Sequence, residues 1–251
     1  MLITRHADAE AVLADPRYVP PPVRQDAAEG TLAWLRAQVS RFSTGETHSG
    51  RRHLLVERLA AVDPAELRPA ARAMTLERDG DWRGVPTAVL GAALGVKDTS
   101  AVAAAATGYL SGEESPEADA AVAELLELAG IPEITLLLQG HAATEALIEH
   151  TLRHAEPGDD VEALLHETLR QDPPLKATRR LDTRTGGEVT IDLVSANRDP
   201  DVFADPIRFD PSRGRTPHLT FGHGARPCPA PAHALALAAG VLEALLHGSR
   251  S

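Results

Sequence analysis

The sequence predicts a mainly α-helical protein with one small β-sheet late in the chain, and three observations carry that prediction. Alanine and leucine dominate while aromatic residues make up only 3% of the chain; Ala and Leu lose little freedom in a helix, whereas strands favour β-branched and aromatic side chains. Apolar residues recur at helical spacing through most of the sequence. Strict period-two alternation appears once, in Glu188, Val189, Thr190, Ile191, Asp192 and Leu193. With 251 residues, 43% of them apolar, the chain can bury a sizeable core.

The elements follow in order. Ala7 to Leu13 reads as a short helix stopped at Asp15-Pro16, and the proline-rich segment from Tyr18 to Arg24 as an extended loop. A helix is predicted over Gly30 to Phe42. The next runs from Thr47 to Ala61, with Leu54, Leu55 and Leu59 on one face. Asp63-Pro64 opens another, Asp63 as N-cap and Pro64 at the first helical position. Val85 to Leu94, Ser100 to Tyr109 and Pro116 to Leu128 are shorter helices. Ile134 to Ala155 is the most apolar helix, predicted to be buried on most sides. Asp160 to Gln171 ends at Asp172-Pro173-Pro174; the strand 188–193 follows, then a turn-rich stretch from Asn197 to Arg215 and a final helix over Pro231 to Leu246. No internal repeat or domain boundary stands out, so residues 1–251 read as one domain.

Composition removes several classes of function. A net charge of −11 argues against a nucleic-acid partner, because phosphate binding needs clustered Lys and Arg. The single cysteine, Cys228, forbids an intrachain disulfide and fits a reducing compartment. The first residues are charged and amphipathic, unlike a signal peptide, and no apolar run reaches 18 residues. The expectation is a cytoplasmic protein with no membrane partner.

The residues that carry chemistry lie in Phe221 to Pro229, FGHGARPCP. Gly222 and Gly224 let the backbone fold tightly and approach a flat partner. Cys228 follows just before the last helix, whose free N–H groups and dipole favour a thiolate. A lone cysteine is most often a small buried hydrophobe; the pattern around this one singles it out. Phe221, Gly222, Gly224, Arg226 and Cys228 match Phe-Gly-x-Gly-x-(His/Arg)-x-Cys, and the loop resembles the haem-binding loop of cytochromes P450.

That resemblance implies haem b (iron protoporphyrin IX) as cofactor, Cys228 as axial thiolate ligand, and Phe221, Gly222 and Arg226 at the haem, Arg226 facing a propionate. Three further stretches resemble the same family in the same order. HETLRQDPP places Glu167 and Arg170 three apart on one helical face, and ANRDPDVFADPIRFDPSR supplies Arg213. By resemblance these three residues form a buried Glu-Arg-Arg network. THSGRR supplies His48 and Arg52 as a second propionate clamp, and Arg179, with Arg180 as fallback, would be a further propionate partner. The resemblance covers nearly the whole chain from ITRHADAEAVLADP onward.

The sequence also departs from the family's pattern. The chain starts where the family's second main helix would start, so its N-terminal sheet and first helix are expected to be missing. Only about 80 residues separate the His48/Arg52 helix from the central one, too few for the family's full roof over the haem. In the central helix, LLLQGHAATEALI, the family's proton-relaying acid and alcohol fall on Ala142 and Ala143. Alanine has no proton to give, so Thr144, His141 and Gln139, with Glu145 nearby, are the candidate catalytic substitutes. Pro229 and Pro231 have no N–H, leaving Ala230 as nearest donor to the sulfur. Fewer such bonds leave more charge on sulfur, which implies a lowered reduction potential or a thiolate that protonates readily.

The expectation is therefore a shortened cytochrome P450-like fold housing a haem-thiolate oxidoreductase. It would act on a small organic substrate as a monooxygenase, fed electrons by a ferredoxin or flavoprotein reductase. Two alternatives stay open. One is a haem-thiolate catalyst without an electron supply, driven by peroxide or acting as an isomerase or dehydratase. The other is a non-catalytic partner protein.

Overall fold

The computed structural model describes residues 1–248. In chain order the elements are β1 (Leu2–Ile3), α1 (His6–Ala14), β2 (Tyr18–Val19), α2 (Leu32–Gln38), α3 (Gly45–Ala60), α4 (Pro64–Glu77), α5 (Val85–Ala93), α6 (Val102–Thr107), α7 (Pro116–Leu128) and α8 (Ile131–Leu152). There follow α9 (Val161–Gln171), β3 (Ala177–Asp182), β4 (Glu188–Asp192), α10 (Leu193–Ala196) and α11 (Pro231–His247). The described residues form two compact units: one of residues 1–21, 146–231 and 246–248, the other of 22–145 and 232–245.

The first unit is built on a four-stranded sheet of order β1-β4-β3-β2. β3 and β4 form an antiparallel hairpin with Thr178 opposite Ile191; β2 extends it antiparallel, Tyr18 opposite Asp182, and β1 runs parallel to β4, Leu2 opposite Thr190. The sheet buries alternate residues, so Val189 and Ile191 point inward against Ala9, Val12 and Leu13 of α1 and against Leu193, Ala196 and Leu219. α9 starts on Asp160, whose carboxylate accepts from the N–H groups of Glu162 and Ala163, and buries Leu164, Leu165 and Leu169.

In the second unit the helix starts follow the same rules. Thr31 and Ser115 cap α2 and α7, and Asp63 caps α4 with Pro64 behind it. α5 starts from Gly84 at φ 74, a left-handed conformation that glycine adopts without strain. α4 and α11 meet through Arg68, whose Nε donates to Glu243 at 3.0 Å. Gly240 lies against the Arg68 carbonyl, and a Cβ there would also come within 3.0 Å of Ala71 Cβ.

Several boundaries differ from the sequence reading, each for a physical reason. The helix expected over 30–42 breaks at Val39 (ψ 155) into α2 and a 3-10 turn at Ser40–Phe42. Arg51 holds the break open by donating to the Ala37 carbonyl at 2.7 Å and to Ser43 Oγ at 2.6 Å. Three of the four strands escaped detection: β1 and β2 have two residues each, too short for alternation, and half of the residues of β3 are charged. Leu193 turns into α10 because Asp192 caps Ser195 N at 2.9 Å. Leu54 is 48% exposed, leaving the core face of α3 to Leu55 and Leu59.

Candidate active site

The loop that carries Cys228 is fixed before it begins. Fully buried Asn197 accepts from Leu219 N at 2.7 Å and donates to Thr220 Oγ1 at 3.0 Å, while Thr220 itself donates to the Leu169 carbonyl of α9 at 2.5 Å. From there the chain turns twice through left-handed glycines, Gly222 at φ 78 and Gly224 at φ 66. Gly224 lies so close to α1 that a Cβ would stand 2.9 Å from both Ala14 N and the Leu13 carbonyl oxygen. The loop closes when Cys228 N donates to the Phe221 carbonyl at 2.6 Å. The half-buried Cys228 Sγ accepts from Ala230 N at 3.5 Å, the donor that the two flanking prolines leave available. α11 begins three residues beyond the cysteine, at Pro231.

Among the described residues no group of three or more His, Cys, Asp or Glu side chains gathers to hold a metal ion. Cys228 is thus a single sulfur donor on a tight, glycine-turned loop. That donor set suits a cofactor that brings its metal's other ligands with it, as a haem does.

Beneath the loop lie three histidines that the sequence reading did not single out. The His218 ring packs against Phe221 at 5.7 Å, and His218 Nδ1 accepts from Thr220 N at 3.3 Å. Burial, with His166 and His6 nearby, pushes the His218 imidazole down to about 4. His166 is lowered by burial and by Arg215. His6 is pinned through its backbone N–H to Asp199 at 2.8 Å, and its Nε2 lies 2.7 Å from the Pro217 carbonyl. Only long-range packing gathers them, so no local pattern signals the cluster.

These shifts set a pH dependence. An unfolded histidine titrates near 6.5, whereas folded His218 holds off its proton until about 4. Between those values the unfolded chain takes up a proton that the fold refuses. Stability conferred by the neutral ring is complete above 6.5 and is lost as pH falls through this window. Urea unfolding at about pH 7 and about pH 5 should show the loss, at up to about 1.4 kcal/mol per pH unit from His218, and His218→Gln should flatten it.

Behind the loop, Arg170 and Glu167 are buried at 0% and 1% exposure. Arg170 Nε donates to Glu167 Oε2 at 2.8 Å and Nη2 to Oε1 at 2.5 Å, a two-pronged pairing. The same guanidinium also donates to the carbonyls of Asn197 at 3.2 Å, Pro206 at 2.8 Å and Arg208 at 3.0 Å. Arg213 Nε stands 3.5 Å from Glu167 Oε1. The structure therefore brings Glu167, Arg170 and Arg213 together, and their carbonyl partners lie in the segment 197–208 that leads toward the Cys228 loop. Arg179 lies elsewhere in this unit, exposed on β3 and paired with Glu188 at 3.4 Å. Its neighbour Arg180 donates to Thr178 Oγ1 at 2.8 Å.

The second unit presents a pocket of about 340 Å³ between α6 and α8. Its wall is small and mostly neutral: Ala103, Ala106 and Thr107 on one side, Ala142 and Ala143 on the other, with Gln139 and His141 at the rim. Gln139 donates to Tyr109 OH at 3.2 Å, and burial pushes that phenol up to about 12. Thr144 is 3% exposed and turns instead to a cavity of about 10 Å³ shared with Thr87 and His141. Of the three candidate substitutes, Gln139 and His141 line the pocket and Thr144 does not. His48 and Arg52 occupy successive turns on one face of α3, both half-buried. No helix of the described residues is long and apolar enough to cross a membrane.

Comparison with known proteins gives a consistent result. No protein-family model matches the chain. It is 39% identical over 119 residues to the cyclomarin C epoxidase of Salinispora arenicola, which covers 42% of this chain and 30% of that protein. It is 34% identical over 116 residues to the biotin biosynthesis cytochrome P450 of Bacillus subtilis, covering 38% of this chain and 29% of the relative. The erythromycin C-12 hydroxylase of Saccharopolyspora erythraea is 35% identical over 116 residues, covering 37% and 29%. The match thus spans less than a third of these relatives' length. Among solved structures, P450BioI bound to an acyl carrier protein carrying hexadec-9Z-enoic acid aligns with a TM-score of 0.78 at 20% identity, covering 98% of this chain and 83% of that one. The ligand-free P450 monooxygenase TamI aligns at 0.73 and 23% identity, covering 98% and 76%.

Proposed function

We propose that this chain, a cytochrome P450-like protein by fold and by sequence, binds haem b through the Cys228 thiolate and acts as a haem-thiolate oxidoreductase of the monooxygenase kind. One observation carries the reading: a half-buried thiol at the end of a doubly glycine-turned loop, closed by Cys228 N to the Phe221 carbonyl at 2.6 Å. A haem iron with such a ligand supplies oxygen or peroxide activation. Phe221, Gly222 and Arg226 would contact the group beside the sulfur, and His48, Arg52 and Arg179 are the further propionate partners that the family resemblance offers. Two relatives are named for an epoxidation and a hydroxylation, reactions that both place oxygen on carbon, which supports the monooxygenase assignment. A small, neutral organic molecule fits the alanine-walled pocket of about 340 Å³. Electrons would come from a ferredoxin or a flavoprotein reductase.

A second reading, turnover driven by peroxide without an electron supply, is favoured by one feature. Ala142 and Ala143 leave two adjacent pocket positions without a proton donor. Product formed with peroxide and no reductant would select it.

The test is an absorption spectrum of the purified protein, ferric and then reduced under carbon monoxide. The expected result is one haem per chain with the thiolate-ligated carbon monoxide band. In Cys228→Ser that band is expected to vanish, whether or not haem remains. A colourless protein that takes up no added haem, or a spectrum indifferent to Cys228→Ser, overturns the proposal.

A further inference from the structure

His141 is the one titratable side chain among the residues that line the α6/α8 pocket, and it also lines the small cavity behind α8. Its Nδ1 lies 2.8 Å from Thr87 Oγ1 of α5 and 3.8 Å from Glu145 Oε1, one helical turn further along α8. Glu145 is held in place in turn. Its Oε1 accepts from Gly84 N at 2.8 Å, and its Oε2 faces Arg83 Nη1 at 3.6 Å. Thr87 is 5% exposed, and the Glu145 side chain 14%. A ring nitrogen beside a carboxylate and a hydroxyl that can accept is most stable carrying its hydrogen. In that form Nε2 keeps its lone pair.

We infer that Glu145 and Thr87 are positioning residues that lock His141 in the Nδ1–H tautomer, making His141 Nε2 the acid–base group of this pocket. Nε2 accepts a proton from a bound molecule, the Glu145 carboxylate stabilises the imidazolium that forms, and the reverse transfer returns the proton. Nothing outside the three side chains and the bound molecule is needed to balance the step. Ala142 and Ala143 beside it have no proton to give, so the pocket's proton-handling group is His141, one residue back along α8 and supported from α5. Of the preceding reading it takes only that a molecule occupies the pocket.

The test is nitrogen-15 NMR of the imidazole side chains in the protein as purified, with His141→Gln identifying the His141 signals among the 11 histidines. The wild type is expected to show His141 as Nδ1–H. Glu145→Gln and Thr87→Val are each expected to move it toward the Nε2–H form that dominates in free histidine. An Nε2–H tautomer in the wild type, or a tautomer unmoved in both variants, overturns the inference. The NMR experiment needs no haem. A locked tautomer in a protein that binds none would sink the haem-thiolate reading while leaving this one standing.

Discussion

Replacing Arg170 by alanine is expected to prevent the first unit from folding stably. The guanidinium is fully buried and makes five hydrogen bonds, two to Glu167 and three to backbone carbonyls. Removing it leaves the Glu167 carboxylate, 1% exposed, without its main counter-charge, and three carbonyls lose a donor. Breaking one side of a buried ion pair costs about 3–5 kcal/mol, a large share of the roughly 5–15 kcal/mol that holds a domain together. Arg170→Lys should rescue little, because an ammonium cannot serve both Glu167 oxygens and the Asn197, Pro206 and Arg208 carbonyls from one plane. Urea unfolding followed by circular dichroism checks this, and a variant within about 1 kcal/mol of wild type would show that the network is dispensable.

The second large effect is expected from Gly224→Ala. The new Cβ would have to sit 2.9 Å from Ala14 N and from the Leu13 carbonyl oxygen, both backbone atoms at the end of α1 that cannot swing aside. The residue must also hold φ 66, which adds roughly 1 kcal/mol for a residue with a side chain. Overpacking adds about 1–3 kcal/mol. The loop should lift from α1, taking Cys228 with it. Haem uptake is expected to fall at least tenfold while the helical circular dichroism signal stays near wild type. Gly186→Ala is the control: Gly186 has φ 71 in the β3–β4 turn with nothing within 4 Å of a Cβ, so only the conformational penalty applies. Equal effects from the two variants would show that the contact with Ala14 does not matter.

The sequence disclosed what short patterns encode. Helix starts at Asp63 and Asp160 were legible because a capping side chain and the first helical residue are adjacent. The Cys228 loop and the Glu167/Arg170 pair were legible because their spacing is local. What stayed hidden depends on distance along the chain. β1 pairs with β4 far along the chain, Leu2 opposite Thr190, Arg51 serves the break at Val39, and Thr87 of α5 serves His141 of α8. Arg179 is a further case. The family resemblance offers it as a propionate partner, and its pairing with Glu188 across the β3–β4 hairpin had no signal in the local sequence.

The contact between Gly224 and Ala14 has a bearing on biosynthesis. Ala9, Val12 and Leu13 are synthesised some two hundred positions ahead of the residues that cover them, from Val189 to Leu219. At about 5–20 residues per second, that apolar helix face waits roughly ten to forty seconds for its cover. Through that interval the face stays uncovered or takes non-native cover, and the first unit can complete itself only after Leu219 has emerged.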